Sequence, residues 1–288
     1  MALRQQGGWS VRRLARSFEL PVSRVGRLVQ AKRTASRSPR GRPVSGDPKL
    51  REAVRQLCLQ ERYQSYGYRR IWALLRRQGY RINRKTVYRI LRQEGLTSPK
   101  VWHRAGRPKR VEKMRPSGAN QAWQIDMTSF QLADLTPLFL VVVADCFTRE
   151  IVGWTLDRRC RAAEWVSAVR QGLESRDWKQ KGDLAGRVLR SDNGAQPCSK
   201  RFVEYLGAVG LRGQYTGYNA PDDNAYVERV IRTLKEEEIW LNQYESWAEA
   251  HAAIDAYVRF YNEQRIHSVL GYRTPQEFAQ KQASLKAA

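Results

Sequence analysis

Three acidic residues in the C-terminal half, Asp126, Asp192 and Glu228, fall where the local pattern changes between strand, turn and helix. Carboxylates gathered without His or Cys suit hard cations such as Mg²⁺ or Mn²⁺, which prefer oxygen ligands. Two such ions about 3.5–4 Å apart can activate an attacking oxygen and stabilise a leaving one, so the chemistry that follows is phosphoryl transfer. At about 100° per residue along a helix, Arg232 and Lys235 lie on nearly the same line as Glu228. One side of that helix therefore offers a carboxylate and two cations able to hold a phosphate. Taken singly, Asp126 is open to reading as a surface residue, Asp192 as a local Asx-turn and Glu228 as a helix-start charge.

The elements that must position these groups follow from periodicity. From Ala122, Trp123, Ile125 and Met127 alternate with Gln124, Asp126 and Thr128, the mark of a strand, and Asp126 should point away from its most apolar face. Leu138 to Asp145 and Glu150 to Asp157 read as two more strands of an antiparallel meander. A helix at about 162–174, a strand from Val188 ending at the Ser191-Asp192-Asn193-Gly194 turn, a helix at about 200–208 and a strand over Leu211 to Tyr215 come next. The last helix starts near Asn224, with Val227, Val230, Ile231 and Leu234 as its apolar stripe. The result is a mixed α/β core with five strands, in which Asp126 and Asp192 reach one edge of the sheet.

Composition assigns the rest of the chain. It has 288 residues and a net charge of +24, and residues 1–120 hold 31 Lys and Arg against 6 Asp and Glu, while residues 121–288 hold 21 against 22. A polyanion-binding portion joined to a balanced globular one explains that asymmetry, with phosphate neutralisation as its reason. Trp9 to Gln30 reads as helix, turn and helix, Ser23 capping the second and leaving Arg24 and Arg27 for phosphates. Between Asp47 and Gly95 three more helices are expected, one opened by Pro48 and one running from Tyr68 through Ile71, Leu74 and Leu75. Asn83 caps the third, whose outer row of Arg84, Lys85, Tyr88, Arg89 and Arg92 suits a DNA major groove. Two basic linkers each carry Gly-Arg-Pro, with Arg42 and Arg107 at its centre, a tripeptide suited to a minor groove. Cys58, Cys146, Cys160 and Cys198 include no CxxC pair and should be free thiols. The longest apolar run, Leu138 to Ala144, is too short to cross a bilayer, and no secretory signal precedes it.

Taken together, Asp126, Asp192 and Glu228, with 35 residues between the last two and Lys235 seven after Glu228, resemble the signature of DDE transposases and retroviral integrases. The chain is similar in particular to the IS3 family of bacterial insertion-sequence transposases. Trp123 to Thr128, Ser191 to Gly194, Asp223 to Glu228, Thr233 to Lys235, Tyr261-Asn262, His267 to Pro275, and Tyr66 to Ile71 in the helical region carry the likeness. Pro197, where the family usually has an aromatic residue, and Asp222, where it has Tyr, depart from the pattern.

The resemblance implies an RNase H-like catalytic core, a mixed five-stranded sheet flanked by helices, preceded by all-α helix-turn-helix DNA-binding domains. It divides the chain into a helix-turn-helix (1–31), a basic linker (32–46), a helical DNA-binding domain (47–96), a second basic linker (97–120), the catalytic core (121–240) and a helical extension (241–288). Asp126, Asp192 and Glu228 would bind two Mg²⁺ ions, with Mn²⁺ as substitute, Lys235 would contact DNA, and Asn193, Gly194 and Asn224 would support the loops. His267 reads as structural. The partners implied are double-stranded DNA at element ends and target sites, further copies of the chain, and a protein from an upstream reading frame. The place of action would be the bacterial cytoplasm at the nucleoid, and no membrane is involved. The competing reading is a catalytically silent DNA-binding regulator or decayed fragment. Either way, affinity for duplex DNA is expected to fall at least roughly 10³-fold between about 50 and 200 mM salt as counterions are released. A flat salt response in a filter-binding titration would refute the electrostatic basis of the reading.

Overall fold

The computed structural model describes residues 48–97, 116–176, 184, 186–216 and 224–287. The expected helix-turn-helix over 1–31 with Arg24 and Arg27, the linker residues Arg42 and Arg107, and Asp222 lie outside the described residues. Residues 53–288 group into one compact unit, apart from residues 1–52.

The basic half contributes α1 (Pro48–Leu59), α2 (Tyr68–Arg77) and α3 (Arg84–Gln93). Val54, Leu57, Ile71, Leu75, Val87, Ile90 and Leu91 are buried at their helical spacing. On α2 it is Ala73 that turns fully inward, whereas Leu74 is half-buried. Asn83 caps α3 by accepting the Lys85 N–H at 2.9 Å, and Gly95, at φ 69°, closes it in the left-handed region open to glycine.

The balanced half is a five-stranded sheet in the order β3-β2-β1-β4-β5. Its strands are β1 (Ala122–Gln131), β2 (Pro137–Asp145), β3 (Ile151–Asp157), β4 (Val188–Ser191) and β5 (Arg212–Tyr215). β1, β2 and β3 form the antiparallel meander, while β4 pairs parallel with β1 and β5 parallel with β4. Helices α4 (Ala162–Glu174) and α5 (Lys200–Val209) share a core with Trp123, Ile125, Val141 and Val143. Gly153 lets α4 approach β3 at backbone range, since a Cβ there would lie 2.1 Å from the Ala168 carbonyl oxygen. Helices α6 (Ala225–Glu237) and α7 (Trp247–Glu263) share a second core with Leu140, Val142 and Ala144. The face carrying Gln124, Asp126 and Thr128, expected to be the less apolar one, is therefore also covered, and Gln124 and Thr128 are buried. No helix among the described residues is long and apolar enough to cross a membrane. The four cysteines are free.

The C-terminal end of α6 is tied to the rest of the unit by a buried ion pair. Arg265 is 2% exposed, and its Nε and Nη2 each donate to the Glu237 carboxylate at 2.7 Å. Tyr257 adds a third hydrogen bond at 3.0 Å and Arg70 of α2 a fourth at 3.3 Å. Burial would raise the Glu237 carboxyl, but the Arg265 bonds outweigh it and hold it below the usual range. Arg70 also lies over the Tyr66 ring, so the helical domain reaches directly into this cluster. A second seam joins Trp72 edge-on to Tyr272 and Arg77 to Glu277 of α8 (Pro275–Ala287).

His267 closes the cluster. Its Nε2 lies 3.2 Å and its Nδ1 3.4 Å from Arg265 Nη1, so the guanidinium, which only donates, meets the imidazole at its ring nitrogens. Burial, then the charges of Arg265, Arg70 and Arg149, push the imidazole down to about 2. The folded chain therefore refuses a proton that the unfolded chain accepts near the ordinary His value of about 6.5. This stabilisation is complete above that pH and is lost below it, by up to about 1.4 kcal/mol per pH unit. Urea denaturation of wild type and His267→Gln checks this. The variant should lose unfolding free energy less steeply between about pH 6.5 and 5, and equal slopes would refute a buried neutral imidazole.

Candidate active site

Strand register brings the first two carboxylates together. Every partner pair in the parallel β1–β4 ladder is 66 residues apart, ending at Gln124 and Arg190, and Asp126 and Asp192 are separated by the same interval. Continued two residues past the last pair, the same register would set Asp126 opposite Asp192, which directly follows the end of β4. Adjacent strands run about 4.8 Å apart. These are the central strands of the sheet, so the acids sit where parallel pairing stops, not at the sheet's edge as expected.

Asp126 is half-buried, and its Oδ1 accepts its neighbour Met127's N–H at 2.8 Å. Asp192 is exposed and accepts the Gly194 N–H at 3.1 Å, an Asx-turn. A Cβ on Gly194 would press on that carboxylate at 3.1 Å, a reason for glycine here. Asn193 donates to the Thr216 carbonyl at 2.8 Å and so fastens the turn to the end of β5. Pro197 is buried and its carbonyl accepts the Tyr215 hydroxyl at 3.2 Å, so the substituted position still braces this turn.

The third carboxylate depends on how β1 holds α6. Gln124 is fully buried, and its Oε1 accepts the backbone N–H groups of Tyr226 at 3.0 Å and Val227 at 3.1 Å. Two of the helix's unpaired first-turn donors are thus satisfied by a strand residue two positions before Asp126. Asn224 adds a bond to the Ile125 carbonyl at 3.4 Å, while its own Oδ1 is buried with no partner among the described residues. Glu228 is exposed in the first turn, where a negative charge suits the helix dipole. The apolar stripe of Val227, Val230, Ile231 and Leu234 is buried as expected. Gln124 was not singled out in advance; its signal is a long amide among strand residues that face a helix start.

The three acids act on one another electrically. Burial, opposed by the Met127 N–H, raises Asp126 most, and the Asp192 and Glu228 carboxylates raise it further against a smaller pull from Lys235. The result is a carboxyl pushed up to about 6. Among the described residues no group of three Asp, Glu, His or Cys converges closely enough to hold a metal ion. In donor chemistry and charge the trio nevertheless fits a hard divalent cation, being oxygen-only and like-charged.

Of the cations, Lys235 is half-buried, and Arg232 is exposed and pairs with Glu236 at 2.7 Å. Arg84, Lys85, Tyr88 and Arg92 are exposed on α3 and Arg89 is half-buried. The Arg84 guanidinium lies 4.4 Å from the centre of the Trp72 ring.

Residues 46–105 match the HTH-like domain, residues 116–219 the integrase core domain, and residues 209–275 a second integrase core domain model. The transposase InsF for insertion sequence IS3A of Escherichia coli (strain K12) is 32% identical over 230 residues, 76% of this chain and 78% of that protein. The transposase for insertion sequence element IS904 of Lactococcus lactis is 31% identical over 74% of this chain and 87% of its own length. An uncharacterised protein of insertion element IS407 from Burkholderia multivorans is 29% identical over 80% of each chain. Among solved structures, the HTLV-2 integrase catalytic core domain in complex with magnesium aligns at a TM-score of 0.43 and 19% identity, covering 57% of this chain and 99% of that one. An integrase-type RNase H-like core behind an HTH-like helical domain is thus the class of this protein. The chain belongs to the IS3 family of insertion-sequence transposases.

Because Gln124 alone supplies two acceptor bonds to the start of α6, Gln124→Leu is expected to lower unfolding free energy by about 1–3 kcal/mol. Gln124→Glu, which keeps the accepting oxygen, should lose less. Urea unfolding of the two variants checks the ranking, and a Leu variant as stable as wild type would mean that α6 is held otherwise.

Proposed function

We propose that the protein cuts DNA at the ends of its mobile element and joins them to a target by metal-dependent phosphoryl transfer. The observation that carries the reading is the common 66-residue interval of the β1–β4 ladder and of Asp126 and Asp192. The Gln124-held helix start that bears Glu228 adds to it. Asp126, Asp192 and Glu228 would hold two Mg²⁺ ions, or Mn²⁺ in their stead. When bound, such ions would offset the charge of this like-charged trio and activate the attacking and leaving oxygens of an in-line displacement.

The nucleophile in this reading is water for cleavage and a DNA 3′-hydroxyl for joining. No covalent link between protein and DNA forms. Lys235, already within electrical reach of Asp126, would hold the phosphate of the scissile strand. Arg232 would join it by exchanging Glu236 for phosphate. Asn193, Gly194 and Asn224 keep the turn after β4 and the start of α6 in position. The helical domain (47–96) would bind duplex DNA through Arg84, Lys85, Tyr88, Arg89 and Arg92, ahead of a catalytic core over 121–240 and an extension over 241–288. The first helix-turn-helix (1–31) and the linkers (32–46 and 97–120), with Arg24, Arg27, Arg42 and Arg107, would widen that footprint. Two ends must meet for joining, so a homo-oligomer on DNA, working in the bacterial cytoplasm with or without an upstream-frame protein, belongs to the same proposal.

Supercoiled plasmid incubated with Mg²⁺, Mn²⁺ or EDTA tests it. Nicked and joined products are expected with either metal and not with EDTA. Asp192→Asn should lower their rate by more than the roughly 10–100-fold lost when a metal's outer-shell partners are changed. Tight binding without product in any metal would favour the silent regulator.

A further inference from the structure

We infer that the groove between α2 and the start of α3 takes an unpaired nucleotide of the DNA substrate, its base stacked among Tyr68, Trp72 and Tyr88 and its phosphate met by Arg76, Arg84 and Lys85. The inference rests on the DNA-binding reading above and specifies one partner group within it. The groove has a volume of about 780 Å³, and among the described residues no carboxylate lines it. That is within the range of sites that enclose small organic groups.

Its rings are arranged for more than packing. The Trp72 indole N–H is spent on the Ile82 carbonyl at 2.8 Å, which fixes the ring plane. Tyr272 meets Trp72 edge-on at 5.9 Å, and the Arg84 guanidinium lies over the ring at 4.4 Å. A planar guanidinium over an indole is a stack that a nucleobase can join or replace, because both present flat faces. Tyr68 and Tyr88 stand edge to face at 5.2 Å, and Tyr88 remains 36% exposed.

A surface that met only duplex phosphates would need the cations and gain nothing from three aromatic rings, since paired bases keep their faces inside the stack. An unpaired base offers those faces, and aromatic stacking accepts any of the four. A protein segment is the less favoured occupant, because three cations and no acid select for a polyanion.

Fluorescence anisotropy of the full chain tests this with one duplex in three forms. The first is blunt, the second carries an unpaired tail of roughly four thymidines, and the third the same tail without bases. The readout is the ratio of affinities, tailed over blunt. In wild type it should be about tenfold, as stacking of a base or two predicts. It should fall to about one with the abasic tail or in Tyr88→Ala, and persist in Tyr88→Phe. A wild-type ratio near one, or an excess that survives either the abasic tail or Tyr88→Ala, overturns the groove assignment. Binding to blunt duplex with a ratio of one removes only this inference, whereas no binding to any of the three removes the DNA reading with it.

Discussion

The buried pair between Arg265 and Glu237 is the constraint to which the other parts of the unit are fitted. A guanidinium 2% exposed survives only because both of its bonded edges meet one carboxylate, and that carboxylate ends the helix on which Glu228 and Lys235 ride. Opposite charges in a low-dielectric interior hold position more sharply than apolar contacts do, and removing one partner typically costs about 3–5 kcal/mol. The far end of α6 is fixed differently, by the Gln124 amide reaching from β1. The helix is therefore clamped at both ends by polar contacts to separate elements. Its apolar stripe seals the middle.

β1 is the second organising element. It accepts an antiparallel neighbour on one side and a parallel one on the other, and both of its faces are covered. Where the parallel ladder runs out, Asp126 lies within electrical reach of Asp192. Their mutual repulsion, and that of Glu228, is a cost retained in the fold. Such a charge imbalance suits the proposed role, in which a cation would offset the acids and the basic half would attract phosphate.

Much of this was legible before the structure. Strand alternation, the Asn83 cap, the Gly95 stop and the stripe of Val227, Val230, Ile231 and Leu234 are local signals, and local signals survive folding. α7 is legible in kind, with Ser246 as cap and Ile254, Val258 and Tyr261 at three- and four-residue spacings, although the sequence marks only a helical C-terminal extension without its division. Alternation places Asp126 opposite the most apolar face of β1, but it distinguishes two sides without telling what covers each. Gln124 and Thr128 look solvent-facing until α6 is laid across them. Arg265 could not be found in advance, since a buried arginine has no local mark and its partner lies 28 residues earlier. The equal spacing of Asp126 and Asp192 with the β1–β4 ladder is likewise a property of pairing across the chain, invisible until β4 is known to lie beside β1.

The seam between the helical domain and the tail also sets an order of assembly. Arg77 bonds to the carbonyl of Tyr272, 195 residues further along the chain. At about 5–20 residues per second on the ribosome, roughly 10–40 s separate the synthesis of these two positions. The three helices that would read DNA are made early and wait, without their seat, until the segment around Tyr272 and Glu277 emerges. During that interval Trp72 and Arg77 lack their partners Tyr272 and Glu277. Synthesis of that segment completes a seam that Arg70 and Glu237 begin.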